Sequence, residues 1–365
     1  MSDVRDYVRW RGDLTFSQDP PNAVDALVFS ALSYIHFGDL LDTPKLLRDA
    51  AEEFMQQEDK ESRVRTRSDT ELLPLAGKST RFGLSRLCYY RDILDPREDT
   101  QFAAVTFLLD DGSAFLAFRG TDSTVVGWKE DFNMSFQQTV PSQRLALQYT
   151  REVASDYIGP IRLGGHSKGG NMAVFAAARS SPQLQKRILD VYNHDGPGFS
   201  DYMMGDPGYR AMVPRIHTFV PQSSIIGMLM DHEEPYTIIK SKQIGLLQHD
   251  IYNWEVIGPG FVLMEEITAD SRFLNETIRS WAAGLSNQER NQIVDALFGL
   301  LAQGNVEDAT EILQPRNIRS YLKILGANEQ LRKLLSSEFQ NFLDAARKTM
   351  LRLSSQRELE GPKEK

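Results

Sequence analysis

The stretch "IRLGGHSKGGNMAVFAAARS", Ile161 to Ser180, constrains this chain more than any other. A short apolar run ends at Gly165, a serine stands between Gly165 and Gly169, and an alanine-rich segment with helical spacing follows at once. Gly165-His166-Ser167-Lys168-Gly169 fits G-x-S-x-G, in which a strand turns so sharply into a helix that the serine takes a strained backbone. Small residues two before and two after the serine leave room for the neighbouring strand and helix. The hydroxyl then stands clear of the sheet, at a helix N-terminus that favours developing negative charge. The bare pentapeptide is weak. Its context, a strand pattern at Ile161 and Leu163 and small residues at Ala173, Ala176, Ala177 and Ala178, makes it a nucleophile elbow.

The flanking segments supply the rest of a sheet. "AAVTFLLDDGSAFLAFRG" reads as two strands around the turn Asp111-Gly112. Pro141 to Ile158 has the spacing of an amphipathic helix, and "RILDVYNHDG", "RIHTFVPQ" and "YTIIKSK" are three further strands. Strands alternating with helices predict an α/β fold, with a mostly parallel central sheet covered by helices on both faces. Before it, Asn22 caps a helical run to His36, and residues 43–70 read as a solvated helix and a connector. After Ala269 the strand signals stop. A capping box, Ser286 with Glu289, opens a helical run to Gly304, and helical periodicity resumes over Asn317–Leu325 and Glu329–Leu353. The expected plan is an N-terminal helical segment (1–75) packed on a core (76–268), a C-terminal helical region (269–353) and a disordered tail (354–365).

Charge and cysteine content narrow the function classes. A net charge of −9 argues against nucleic acid and against a polybasic membrane anchor. The single cysteine, Cys88, lies in the apolar "LCYY" and excludes an intrachain disulfide framework. The charged N-terminus lacks a signal peptide's apolar stretch and no run is long enough to span a membrane, so a cytoplasmic location is expected. There is no HExxH, no Walker loop and no GxGxxG after a strand, so neither a metal nor another cofactor is expected.

A nucleophilic serine needs a base and an orienting acid, in the chain order serine, acid, histidine. Of the downstream histidines, His217 lies within a strand, His194 immediately precedes Asp195 and His232 lies in the acidic "DHEEPY". His249 follows the last core strand, where the catalytic histidine belongs, and is the expected base. The strand "AFLAF" runs into Arg119-Gly120-Thr121-Asp122, where the amide and hydroxyl of Thr121, with the Lys168 amide, could hold an oxyanion. The Lys168 side chain reads as solvated rather than as an anion-binding cation. Ile225, Met228 and Leu229 in "SSIIGMLM" are candidates for an acyl-pocket wall or lid, with core packing as the alternative.

Together these residues resemble the class 3, fungal triacylglycerol lipase-like α/β hydrolases, which carry an "FRGT"-like turn, then a tryptophan and aspartate, then "GHSxGG". Here the series is "AFRGT", "GWKEDF" with Trp128 and Asp131, and "GHSKGGNMA". The chain looks closer still to a bacterial lipase-like family of unknown function, in which "GHSKGGNxA", "NxDGPGF" and "QHDxxxW" recur together. The resemblance covers about residues 20–260 or more and implies the α/β-hydrolase fold. One departure stands out. In class 3 lipases the triad acid follows the second strand after the nucleophile, whereas here that place is "FVPQSSIIGML", with no carboxylate. Asp195, one strand earlier, resembles the acid loop of pancreatic-type lipases and is the expected acid, with a turn cap as the bland alternative and Asp231, Glu233 and Glu234 in reserve. The resemblance supplies no substrate; the site residues themselves point to a serine hydrolase acting on a small-molecule or lipid carboxylic ester, with a thioester or peptide left as open alternatives. The competing reading is a non-catalytic scaffold whose helical C-terminus binds a protein partner.

Overall fold

The computed structural model describes residues 2–122, 124–134, 137–303 and 315–360. Eight strands form one sheet in sequential order. They are β1 (Lys45–Leu46), β2 (Arg86–Asp95), β3 (Thr100–Leu108), β4 (Ala114–Phe118), β5 (Ile161–His166), β6 (Ile188–His194), β7 (Ile216–Pro221) and β8 (Tyr236–Ile239). β1 to β4 pair antiparallel, and β4 to β8 pair parallel. The β3–β4 hairpin turns at Gly112, whose φ of 76° suits a residue without a Cβ.

Helices on the N-terminal side are α1 (Val4–Arg11), α2 (Ala23–Leu32), α3 (Leu47–Met55), α4 (Arg67–Lys78) and the single turn α5 (Thr80–Gly83). Among the strands lie α6 (Val125–Met134), α7 (Pro141–Asp156), α8 (Lys168–Ala178), α9 (Pro182–Gln185) and α10 (Pro207–Met212). The C-terminal helices are α11 (Ala269–Ala283), α12 (Asn287–Gln303), α13 (Pro315–Ala327) and α14 (Glu329–Glu360). Two readings change. Residues 43–70 are more than a solvated helix, because α3 buries Leu47, Ala50, Ala51 and Phe54. The long helix α14 runs on to Glu360 rather than ending at Leu353, since no glycine or proline interrupts it before Gly361-Pro362. Residues 361–365 of the expected tail lie outside the described residues.

The sequential strand order explains the two layers. Right-handed crossovers between successive parallel strands place their helices on one side of the sheet. Accordingly Ala114, Leu116 and Phe118 of β4 pack with Tyr149 of α7, Met172 of α8 and Tyr209 of α10 in one core. The intervening residues, Phe115 and Ala117, face the other way and would be bare. The N-terminal helices cover them, with Val4, Leu27, Phe29, Phe54 and Leu73 in the second core. A buried ion pair pins this cover: the Arg81 guanidinium donates to both Asp25 oxygens at 2.7 and 2.6 Å, and both side chains are fully buried. A mostly parallel sheet with helices on both faces is the α/β-hydrolase architecture. Among the described residues no helix is long and apolar enough to cross a membrane.

Candidate active site

The elbow is built by backbone crowding. Ser167 joins β5 to α8 at φ 60° and ψ −133°, a conformation that costs a residue with a Cβ roughly 1–3 kcal/mol. What forces it is the lack of space around it. A Cβ on Gly165 would lie 2.3 Å from the Gly169 carbonyl carbon, and one on Gly169 would lie 2.1 Å from the Phe118 oxygen. The Ser167 amide donates to the His194 carbonyl at 2.9 Å, which ties the bend to the end of β6. Lys168 opens α8, and the first amides of a helix have no partner within it.

Asp195 follows β6 directly, in the left-handed region at φ 54°. Its side chain is 1% exposed, and its carboxylate is shared between two segments. Oδ2 accepts from His249 Nδ1 at 2.6 Å, while Oδ1 accepts from Ser224 Oγ at 2.5 Å and from the Gly227 amide at 3.2 Å. A carboxylate only accepts, so His249 Nδ1 carries the proton and Nε2 is left with a lone pair. Asn171 of α8 clamps the Asp195 loop, donating to the Pro197 and Gly198 carbonyls at 3.0 and 2.9 Å. The asparagine of "GHSKGGN" thus joins the elbow to the acid loop.

The segment before and after His249 is equally determined. Gln248 accepts from the Ser223 amide at 2.8 Å through its side chain, and its carbonyl accepts from Trp254 Nε1 at 2.8 Å. His166, the residue before Ser167, donates from Nε2 to the His249 carbonyl at 2.8 Å. Its Nδ1 therefore accepts from the Tyr34 hydroxyl at 2.9 Å. Burial holds the His166 pKa well below its ordinary value, so it stays neutral and supports the loop without repelling a protonated His249. The two rings lie 4.4 Å apart. Neither His166 nor Tyr34 was singled out as functional from the sequence, and only the "H" of the elbow hinted at the former.

Gly120 brings the β4 turn to Ser167: a Cβ there would lie 3.0 Å from Ser167 Cβ. The neighbouring Thr121 donates its hydroxyl to Asp131, at 2.8 and 2.6 Å from the two oxygens. The hydroxyl is therefore engaged with that carboxylate. Desolvation raises the Asp131 pKa to about 6, against the opposing pull of Lys168 and the Thr121 hydroxyl. The solvated reading of Lys168 is corrected. Its side chain is 1% exposed and donates to Glu130 at 2.9 Å and to the Gln101 carbonyl and side chain at 3.0 and 2.8 Å. Glu130, fully buried, needs that cation, and it also accepts from the Gln101 and Ser142 amides. Sequence reading missed Glu130, which stands as one acid among the charges of "KED" with no local mark of its burial.

The remaining candidates fall elsewhere. His217 pairs with Asp190, and His194 is buried, its pKa pushed down to about 4 by desolvation. His232 contacts Glu234, which also accepts from Tyr209 and Thr218. Asp231 pairs with Arg279 and Glu233 accepts from the Gly205 amide, so none of the reserve acids is bonded to His249. Ile225, Met228 and Leu229 are half-buried around a short 3-10 turn (Ile226–Met228) and belong to neither sheet core. Met228 lines a cavity of about 600 Å³ together with His232, Tyr236 and Asn275. Thus Asp195 and His249 are joined directly, while no hydrogen bond links Ser167 Oγ to His249 among the described residues. No group of three or more His, Cys, Asp or Glu among them could hold a metal ion.

Residues 76–299 match the Mbeg1-like family, and the chain belongs to this lipase-like family. Searched against curated proteins, the sequence has no match. Among solved structures, the chain is similar to a lipase–propeptide complex from Rhizomucor miehei, at 14% identity over 50% of this chain and 71% of that one, with a TM-score of 0.33. It is similar to a mutant form of MDLA from Penicillium cyclopium at 13% identity, covering 66% of this chain and 83% of that one, with a TM-score of 0.39. For lipase II from Rhizopus niveus the identity is 19%, the shares are 39% and 63%, and the TM-score is 0.27.

Proposed function

We propose that this member of the Mbeg1-like family is a serine hydrolase of carboxylic esters, acting through an acyl-enzyme. The observation that carries the reading is the 2.6 Å contact of His249 Nδ1 with the buried Asp195 carboxylate, beside a serine held at φ 60° in a strand-to-helix bend. In this mechanism His249 Nε2 takes the Ser167 proton as Oγ attacks the acyl carbon. Asp195 stabilises the imidazolium, and the amides of Thr121 and Lys168 hold the oxyanion. His249 then protonates the leaving alkoxide, and water, activated by the same nitrogen, releases the acid. The Oγ–Nε2 hydrogen bond has to close when substrate binds, a tightening common to such sites.

A fluorophosphonate probe tests this directly. Covalent labelling of the folded chain, mapped to Ser167 by peptide mass spectrometry, is expected; a folded chain that stays unlabelled leaves the non-catalytic scaffold. Ser224 follows β7, the place where class 3 lipases carry their acid, and its hydroxyl bonds to Asp195 instead. Ser224→Ala removes one of the two donors to Asp195 Oδ1, so kcat should fall about tenfold with KM unchanged, the loss of roughly 1.4 kcal/mol of positioning. Unaltered kcat in that variant would show the hydroxyl to be a bystander.

A further inference from the structure

One part of the surface differs in character from the rest. Over residues 315–353 the chain carries eight Lys or Arg against three Asp or Glu, in a protein whose net charge is −9. This is the region of α13 and α14. Lys333, Arg347 and Arg352 pair with Glu329, Asp344 and Glu276. Arg319, Lys323, Arg332 and Lys348 make no ion pair among the described residues.

Large apolar side chains stand beside Arg319, Lys323 and Arg332, whereas Lys348 lies on the opposite side of α14 from Phe339. Ile318 and Leu322 on α13 are 41% and 65% exposed, and Phe339 and Met350 on α14 are 60% and 57% exposed. Ile318 and Leu322 are four residues apart, as are Arg319 and Lys323, so an apolar stripe runs beside a basic one. On α14, Arg332, Phe339 and Met350 are separated by close to two and then three turns and share one side. The adjoining side, about a quarter-turn round the helix, packs inward, with Phe342 against Trp281 of α11 and with Ala345 and Thr349 buried.

We propose that the α13–α14 face docks the protein on an anionic phospholipid surface. Unpaired cations meet the headgroups, and the interleaved apolar side chains enter the boundary between headgroups and acyl chains. The acidic remainder of the molecule is repelled by the same surface, which fixes the docked orientation. A second copy is the poorer occupant, because a two-fold contact through this face sets like charges against each other. The face is coupled to the site-bearing end of the sheet. α11, against which α14 packs, donates from Ser271 and Asn275 to the Ser224 carbonyl, while α12 meets α6 through Phe298 and Phe132 at 5.7 Å.

Vesicle co-sedimentation of the full chain tests the proposal, with phosphatidylcholine alone and with phosphatidylcholine mixed with phosphatidylglycerol. Binding is expected only to the mixed vesicles and should weaken with added salt. Each basic residue near an anionic surface contributes about fivefold to affinity, so the triple variant Arg319→Glu, Lys323→Glu, Arg332→Glu should lose about a hundredfold or more. Leu322→Ser with Phe339→Ser should weaken binding while the circular dichroism spectrum is unchanged. Equal binding to both vesicle types, or full binding by a natively folded charge-reversed variant, overturns the proposal. So does light scattering that shows a dimer dissolved by Phe339→Ser, which assigns the face to a second copy. Ser167→Ala should bind vesicles like the parent chain, so failure of the hydrolase reading is read separately.

Discussion

In the Ser167→Ala variant, hydrolysis of a chromogenic acyl ester is expected to fall by about 10⁶ in kcat, the scale reached when a serine nucleophile acting as a unit with its base is deleted. Folding should survive, because Ser167 Oγ makes no hydrogen bond among the described residues and alanine leaves no buried partner unsatisfied. Alanine inherits the strained φ of 60°. Glycine does not, so Ser167→Gly should be equally inactive and more stable than Ser167→Ala by about 1 kcal/mol, the relief of a left-handed Cβ net of glycine's entropy. Thermal melts of the two variants measure that difference. Retained turnover in Ser167→Ala would place the chemistry elsewhere in the molecule.

Asp195→Asn has the second largest expected effect, a loss of about 10⁴ in kcat. The effect follows from which partners can change role. The Gly227 amide can only donate, so the asparagine carbonyl must take the position of Oδ1, facing Gly227 and Ser224. Its amide nitrogen is thereby turned toward His249 Nδ1. Two donors cannot face each other at 2.6 Å, so the imidazole moves its proton to Nε2, the atom that has to accept from Ser167. The variant keeps the loop and loses the base. Rates of ester cleavage across pH decide the matter: near-normal turnover would reduce Asp195 to the cap of a tight turn.

Some of this was legible in a single sequence. The elbow is a local event, because close approaches that involve Gly165, Gly169 and Phe118 dictate the conformation of Ser167, and glycine at two fixed offsets announces them. The hairpin at Gly112 and the helix capped by Asn22 follow in the same way from residues a few positions apart. The mostly parallel sheet covered on both faces was legible from the alternation of strand and helix patterns. Chain order and resemblance then put forward Asp195 and His249, which the structure brings into contact 54 residues apart.

Other features have no local signature. Lys168 reads as an exposed lysine until β3 and α6 close over it, and Glu130 reads as one acid in a charged run. Ser224, which holds Asp195 from the next strand, is one of two adjacent serines with nothing in its neighbours to mark it. Sequence periodicity determined the elements and the bend, since backbone strain and amphipathic faces are written within a few residues. Only the tertiary structure decided which carboxylate meets the imidazole and which charges are buried, because desolvation and hydrogen-bond geometry depend on segments that meet in space while lying far apart along the chain.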